Sequence, residues 1–350
     1  MYSIKKAESS LWCSSYGLVD TLHYKFSSGH PVHSLNAINS LSCSMNHLFT
    51  TSLMAACAAL FCAGAQADTG KLLLTSGVSS IDGAAGGGLT PWAVIGSNAT
   101  DDEIGGSAFF TNVGTKDYGL NIVGAAVGLY DRFELSIAQQ DLNTRGTGTA
   151  LGLPGLHLKQ TIVGAKVRVL GDAVLDSDTL VPQVAVGLEY KTLGSTGLDG
   201  TLSALGAKRN GVDVYVSATK LFLGQGLLLN GTLRATQANQ NGLLGYGATL
   251  GGNENKYSLQ PEFSIGLLVS KNVVIGAEYR FMRNKLERAG LIAGLGNGLR
   301  SEDWKDIFIA WAPSKNVSLT LAYVDLGVIV PATTASRKQT GYYLSAQVAF

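Results

Sequence analysis

The most constraining feature of this 350-residue chain is a two-residue alternation of apolar and polar side chains, which recurs from about residue 118 to the last residue. In 183–191, every second residue from Val184 to Tyr190 is apolar or aromatic, and the residues between them are small or charged. Stretches 257–269 and 272–281 follow the same rule. Strict alternation over such lengths predicts β-strands with one apolar face, and no segment shows comparable helical spacing.

Two further features favour a membrane barrel over a soluble sandwich. The alternating segments run for about 9 to 13 residues, whereas soluble strands are usually about 5–6 residues long. Their connections also alternate in length, with short turns such as 130–132 and 270–272 and longer loops such as 193–211 and 283–302. Long strands, short periplasmic turns and long external loops are typical of outer-membrane β-barrels.

The final strand gives an independent indication. Tyr342, Leu344, Ala346, Val348 and the terminal Phe350 share one face of it. A last strand that ends in an aromatic residue is similar to the closing strand of bacterial outer-membrane barrels. The resemblance implies that Phe350 is a C-terminal assembly signal and that the barrel-assembly machinery is a partner.

Counting back from Phe350 predicts fourteen strands, an even number as in bacterial barrels. They are 339–350, 315–327, 302–312, 271–283, 256–270, 226–238, 211–222, 179–193, 157–170, 132–142, 118–130 and the shorter 105–113, 90–97 and 70–80. In the alternative interpretation, the glycine-rich run 82–88 and the following 89–92 form an internal plug. Twelve strands would then remain.

The chain before residue 68 indicates export. An apolar run from Leu53 to Ala63 precedes Ala65-Gln66-Ala67, which is the pattern of a secretory signal peptide cleaved after a small residue. We therefore expect residues 45–67 to be a signal peptide that starts at Met45, and 68–350 to be the exported barrel in the outer membrane of a Gram-negative bacterium. Residues 1–44 are then upstream, non-native or disordered sequence. A genuine N-terminal extension and a lipoprotein signal at Cys57 stay open as alternatives.

The exported chain lacks the residues that several other functions need. All four cysteines precede Asp68, and 68–350 contains equal numbers of basic and acidic residues and a single histidine, His157. The composition argues against disulfides, cysteine metal sites and nucleic-acid binding. The glycine cluster 83–88 is not followed by the Gly-Lys-Ser/Thr of a phosphate-binding loop. We predict no catalytic residues, no metal and no cofactor.

Alternation assigns charged residues of both signs to the barrel lumen and large aromatics to the lipid side. The predicted lumen residues are Glu134, Lys166, Arg168, Glu189, Lys191, Asp213, Arg234, Glu262, Glu278, Arg280 and Asp306. The predicted membrane-girdle aromatics are Tyr190, Tyr257, Tyr279, Phe281, Trp311, Tyr323 and Tyr342. The nearly balanced lumen charges predict either a weakly selective, water-filled pore or neighbours, such as Glu262 and Arg280, that pair across strands and brace the lumen.

Several motifs together resemble a family. Gly70–Thr75, Gly86–Ala93, Val127–Ser136 and Gly276–Arg280, with the Phe350 end, are similar to a bacterial family of outer-membrane β-barrel proteins of unknown function. The resemblance covers essentially all of 68–350. It implies a barrel located in the outer membrane, but no activity and no site residues.

The function expected from the sequence is a porin-like passive channel for small solutes in contact with outer-membrane lipids. A closed or plugged barrel with a structural or interaction role is the alternative, and an outer-leaflet lipid hydrolase is a third hypothesis.

Overall fold

The computed structural model describes residues 71–174, 179–250, 252 and 254–350. The predictions for 1–44 and for the signal peptide 45–67 lie outside these residues. Two short strands come first, β1 (Val78–Ser79) and β2 (Ala85–Gly86), and they pair with each other as a small hairpin.

Twelve longer strands form a closed antiparallel barrel in which each strand pairs with the next along the chain and the last pairs with the first. They are β3 (Ile104–Thr115), β4 (Gly119–Leu129), β5 (Phe133–Asn143), β6 (His157–Leu170), β7 (Gln183–Leu193), β8 (Asn210–Phe222), β9 (Leu227–Thr236), β10 (Ser258–Ser270), β11 (Val273–Arg280), β12 (Trp304–Ser314), β13 (Val317–Asp325) and β14 (Thr340–Ala349). Pairing of β14 with β3 closes the wall and leaves no free sheet edge. The predicted up-and-down β-barrel is confirmed.

The strand count of fourteen is corrected to twelve, the alternative count, because 90–97 and the described part of 70–80, residues 71–80, do not join the wall. Every residue from 77 to 97 is buried, with polar Ser80 and Asp82 as enclosed as Ile81 and Ile95. A wall strand must present one face to lipid, and a segment that is buried all round cannot do so. These residues lie in the lumen instead, and we call residues 71–99 the plug.

The wall is apolar outside and polar inside, the reverse of a soluble protein. On β5, Phe133, Leu135 and Ile137 are 42–55% exposed, whereas the intervening Glu134 and Ser136 are 7% exposed or less. This arrangement is typical of a barrel that spans a membrane. All seven predicted girdle aromatics lie on the outer face, Tyr279 half-buried and the others exposed. Their role as a girdle stays a prediction.

Long connections crowd one end of the barrel, which we call the loop end. They contain four short helices and two 3-10 turns: α1 (Arg145–Ala150), α2 (Asp199–Ala204), η1 (Gln240–Gly242), α3 (Glu287–Ile292), η2 (Gly296–Leu299) and α4 (Pro331–Thr334). None of the helices in the described part of the chain has the length and apolarity needed to span a membrane. The opposite end, with mostly short connections, is the turn end.

Candidate functional site

The candidate site is the lumen, where the plug meets charged side chains of the wall. The plug residue Asp82 contacts three cations of the wall. Its carboxylate is 3.2 Å from Lys191 Nζ, 3.2 Å from an Arg280 nitrogen and 3.5 Å from an Arg234 nitrogen. Asn241 of η1 joins the same group, because its amide donates to Asp82 at 2.7 Å and its oxygen accepts from Lys191 at 2.7 Å.

The three cations also have carboxylate partners on the wall. Arg234 lies 2.5 Å from Glu189 and 2.6 Å from Glu262, and Lys191 lies 3.1 Å from both Glu189 and Asp213. We call these residues, with Asp82, Asn241 and Arg280, the central cluster. Each of the three cations therefore keeps a carboxylate partner on the wall without the plug, as a buried charge needs.

Asp82 is held ionised within this cluster. Burial acts to raise its pKa, but the charges of Lys191, Arg280 and Arg234 outweigh that effect and keep the pKa below its usual value. The plug therefore presents a carboxylate to the cationic part of the lumen.

A second contact holds the plug by its backbone. Glu134 accepts hydrogen bonds from the amides of Ala85 at 3.0 Å and Gly96 at 2.7 Å, and it lies 3.1 Å from Lys166. The Lys166 ammonium donates to the carbonyls of Ala85 and Val94 at 3.0 and 2.7 Å. Opposite charges on neighbouring strands thus satisfy the donors and acceptors of a plug that has almost no sheet of its own.

A third contact lies on the other side of the lumen. Glu278 accepts hydrogen bonds from the Leu89 amide at 2.7 Å and the Thr90 hydroxyl at 2.6 Å. Gly87 passes so close to this carboxylate that an added Cβ would stand 2.0 Å from Glu278 Oε1. A larger residue at this position would push the Glu278 carboxylate away from the plug or move the plug itself.

Ten of the eleven predicted lumen residues are buried inside the barrel, each 5% exposed or less. The exception is Arg168, which lies at the turn end and contacts Asp131 at 2.7 Å and Asp172 at 3.1 Å. Glu262 and Arg280 are direct cross-strand partners at 3.3 Å. Eight of the ten form ion pairs inside the barrel. Glu278 contacts the plug without an ion pair, and Asp306 lies opposite Glu278 with no ion pair among the described residues. Ion selection by these residues stays a prediction.

Sequence reasoning missed Asp82 and Asn241, the two members of the cluster that lie outside the wall. A signal for Asp82 exists, because it is the only charged residue between Lys71 and Asp101. A lone carboxylate in such a stretch needs a partner from elsewhere in the chain. No comparable signal marks Asn241, since asparagine is common in loops.

His157 lies on the outer face of β6 near the loop end, where its Nδ1 is 2.5 Å from Asp141 Oδ1. Within the described residues, no serine or threonine hydroxyl is hydrogen-bonded to the ring. A hydroxyl nucleophile activated by this histidine would make such a contact.

Fold and lumen together define a transmembrane antiparallel β-barrel with an internal plug. The chain belongs to the family described as "Protein of unknown function (DUF3034)", whose model matches residues 75–347. The family resemblance seen in the sequence motifs is thereby confirmed. No curated protein matches the chain in sequence.

Among solved structures, the chain is similar to outer-membrane barrels. The KdgM porin matches with 11% identity, 70% coverage of this chain, 99% coverage of the porin and a TM-score of 0.43. Omp33 of Acinetobacter baumannii matches with 8% identity, coverage of 72% and 100% and a TM-score of 0.37. Outer membrane phospholipase A from Escherichia coli matches with 9% identity, coverage of 70% and 92% and a TM-score of 0.36. These similarities are too distant to carry an argument about function.

Proposed function

We propose that this protein is a non-enzymatic outer-membrane channel for small solutes, whose lumen is closed at rest by the plug. One observation carries the proposal: the lumen of the twelve-strand barrel is occupied by a separate chain segment, held through side-chain contacts instead of through the wall's own sheet. Eight strands make a barrel that side chains alone can fill, and sixteen to eighteen leave a channel. A barrel of intermediate size whose lumen is filled by a separate plug is suited to gated passage of solutes.

The outer-membrane location is supported by the apolar outer face and the alternation of loop lengths. Because long loops face the exterior in such barrels, the loop end is the external end and the turn end is periplasmic. The charges of the central cluster would line the path once the plug moves. Their near balance supports weak ion selectivity.

The test is single-channel conductance of protein purified from outer membranes, before and after the plug is locked to the wall. The Thr90 and Ser264 hydroxyls are 2.5 Å apart and buried, so Thr90→Cys/Ser264→Cys places two thiols within disulfide reach. We expect wild-type protein to show discrete openings, and the oxidised variant to be silent until a reductant is added.

A matched control bridges two wall strands and leaves the plug free. The Thr111 and Ser345 hydroxyls are 2.8 Å apart on β3 and β14, so oxidised Thr111→Cys/Ser345→Cys should conduct like wild type. A folded wild-type barrel that never conducts would overturn the channel proposal in favour of a structural role. Conductance that survives oxidation of the plug-locking pair would show that solutes do not need the plug to move.

A further inference from the structure

The loop end contains a cavity of about 400 Å³ that the channel proposal does not use. Fifteen of its 27 lining residues are leucine, and none carries a charge. Ligand sites in proteins typically enclose about 300–1,000 Å³ and are mostly apolar with few polar groups. Both the size and the composition therefore fit a site for a small molecule.

Separate loops build this cavity. Leu156 comes from the β5–β6 loop, Leu202 from α2, Leu243 from the β9–β10 loop and Leu286 from the residue before α3, and all four are 8% exposed or less. External loops of a membrane barrel face water, so apolar side chains there are costly unless they are enclosed. Their convergence on one space makes an apolar interior at the loop end.

The cavity opens to the outside. Leu151 in the β5–β6 loop and Leu295 in the β11–β12 loop both line it, and each is 49% exposed. An apolar solute arriving at the external face can therefore reach the cavity without crossing the wall or displacing the plug.

Two buried polar groups on the cavity wall have no hydrogen-bond partner within the described residues. They are the side-chain amide of Gln240, 5% exposed, and the indole N–H of Trp304, 4% exposed. Buried polar groups are nearly always hydrogen-bonded, so the Gln240 amide is the group on this wall with both a donor and an acceptor to offer a ligand.

The position of Gln240 is built into the loop. Gln240 and its neighbour Asn241 both adopt left-handed backbone conformations, with φ of 46° and 58°. A non-glycine residue takes this conformation only where its surroundings impose it. Asn241 is fixed in the central cluster, and the same tight turn presents Gln240 to the cavity.

We propose that the loop-end cavity binds a small, uncharged, largely apolar molecule with one hydroxyl or carbonyl oxygen, which hydrogen-bonds to the Gln240 amide. The claim that this cavity is the first binding site for the transported solute rests on the proposed channel function. The claim that the cavity binds such a molecule does not depend on that function, because equilibrium binding is measured without passage through the lumen.

The test measures binding of three probes of similar shape. The protein is purified from outer membranes and reconstituted in lipid nanodiscs, and empty nanodiscs measure how much of each probe partitions into the lipid. 2-Naphthol carries one hydroxyl, naphthalene carries none and 2-naphthoate is charged. We expect saturable binding of 2-naphthol, at least tenfold weaker binding of naphthalene and no detectable binding of 2-naphthoate.

Variants locate the site. Gln240→Leu should weaken 2-naphthol at least tenfold and abolish its advantage over naphthalene, whereas Leu202→Trp should fill the cavity and prevent binding of both. The matched control Gln139→Leu changes an outward-facing residue of β5 and should bind like wild type. If Gln240→Leu does not assemble, the Leu202→Trp result decides between the cavity and any other site.

Several outcomes would overturn the proposal. They are no saturable binding to folded wild type, unchanged affinity in both cavity variants, or equal loss in the Gln139→Leu control. A lipid that copurifies with wild type and is missing from Leu202→Trp, detected by mass spectrometry, would assign the cavity to an acyl chain instead. Binding without conductance would retain the site and reject the channel, and conductance without binding would do the reverse.

Discussion

Replacing Asp82 by asparagine should release the plug and leave the wall intact. The substitution removes the only plug charge in the central cluster, which contacts Lys191, Arg234 and Arg280 at 3.2–3.5 Å. Each of these cations keeps a carboxylate on the wall, so the loss falls on the attraction between plug and wall. Asn retains the shape and part of the hydrogen bonding.

The magnitude follows from what is lost. A hydrogen bond to a charged group contributes about 1.5–3 kcal/mol, and because the cations remain paired we take one such contribution, about 2 kcal/mol, as the net loss. At about 1.4 kcal/mol per factor of ten, the equilibrium between seated and released plug shifts about thirtyfold. We expect the open-time fraction in a planar bilayer to rise by about that factor.

The matched control is Asp102→Asn, which removes the same charge from an exposed position at the turn end and should leave gating unchanged. Heat-modifiable mobility on gels verifies that both variants contain a folded barrel. An unchanged open-time fraction in a folded Asp82→Asn barrel would refute the gating role of this contact. Failure of that variant to assemble would show that Asp82 braces the wall.

Three further predictions concern single positions. Gly87→Val should displace the plug from Glu278, because even a Cβ would overlap that carboxylate; the expected result is a higher open-time fraction, and wild-type gating would contradict it. His157→Ala should leave conductance and assembly unchanged, since this residue lies on the outer face, and a loss of conductance would contradict the path through the lumen. Deletion of Phe350 should lower the yield of folded barrel in outer membranes, because its backbone exchanges hydrogen bonds with Gly106 at 2.8 and 3.1 Å; an undiminished yield would remove its role in assembly.

The twelve wall strands were predictable from the sequence because each is a local pattern. A strand with one face in lipid and one in the lumen must alternate, whatever its neighbours are, so 211–222 and 339–350 were located to within about a residue of Asn210–Phe222 and Thr340–Ala349. The same alternation placed ten of eleven charges inside. Arg168 differs because it lies near the end of β6, where its side chain reaches Asp131 and Asp172 at the turn end.

The sequence by itself thus determined the class of fold, the inward and outward faces and the apolar belt, all of which follow from a two-residue period. Only the tertiary structure decided that 71–99 fills the lumen, that Asp82 meets three cations and that leucines from separate loops enclose a cavity around Gln240. These features join residues far apart in the chain. The glycine-rich plug has no regular alternation of apolar and polar residues. Its conformation depends on contacts with charged side chains of the wall, which come together only after the barrel closes.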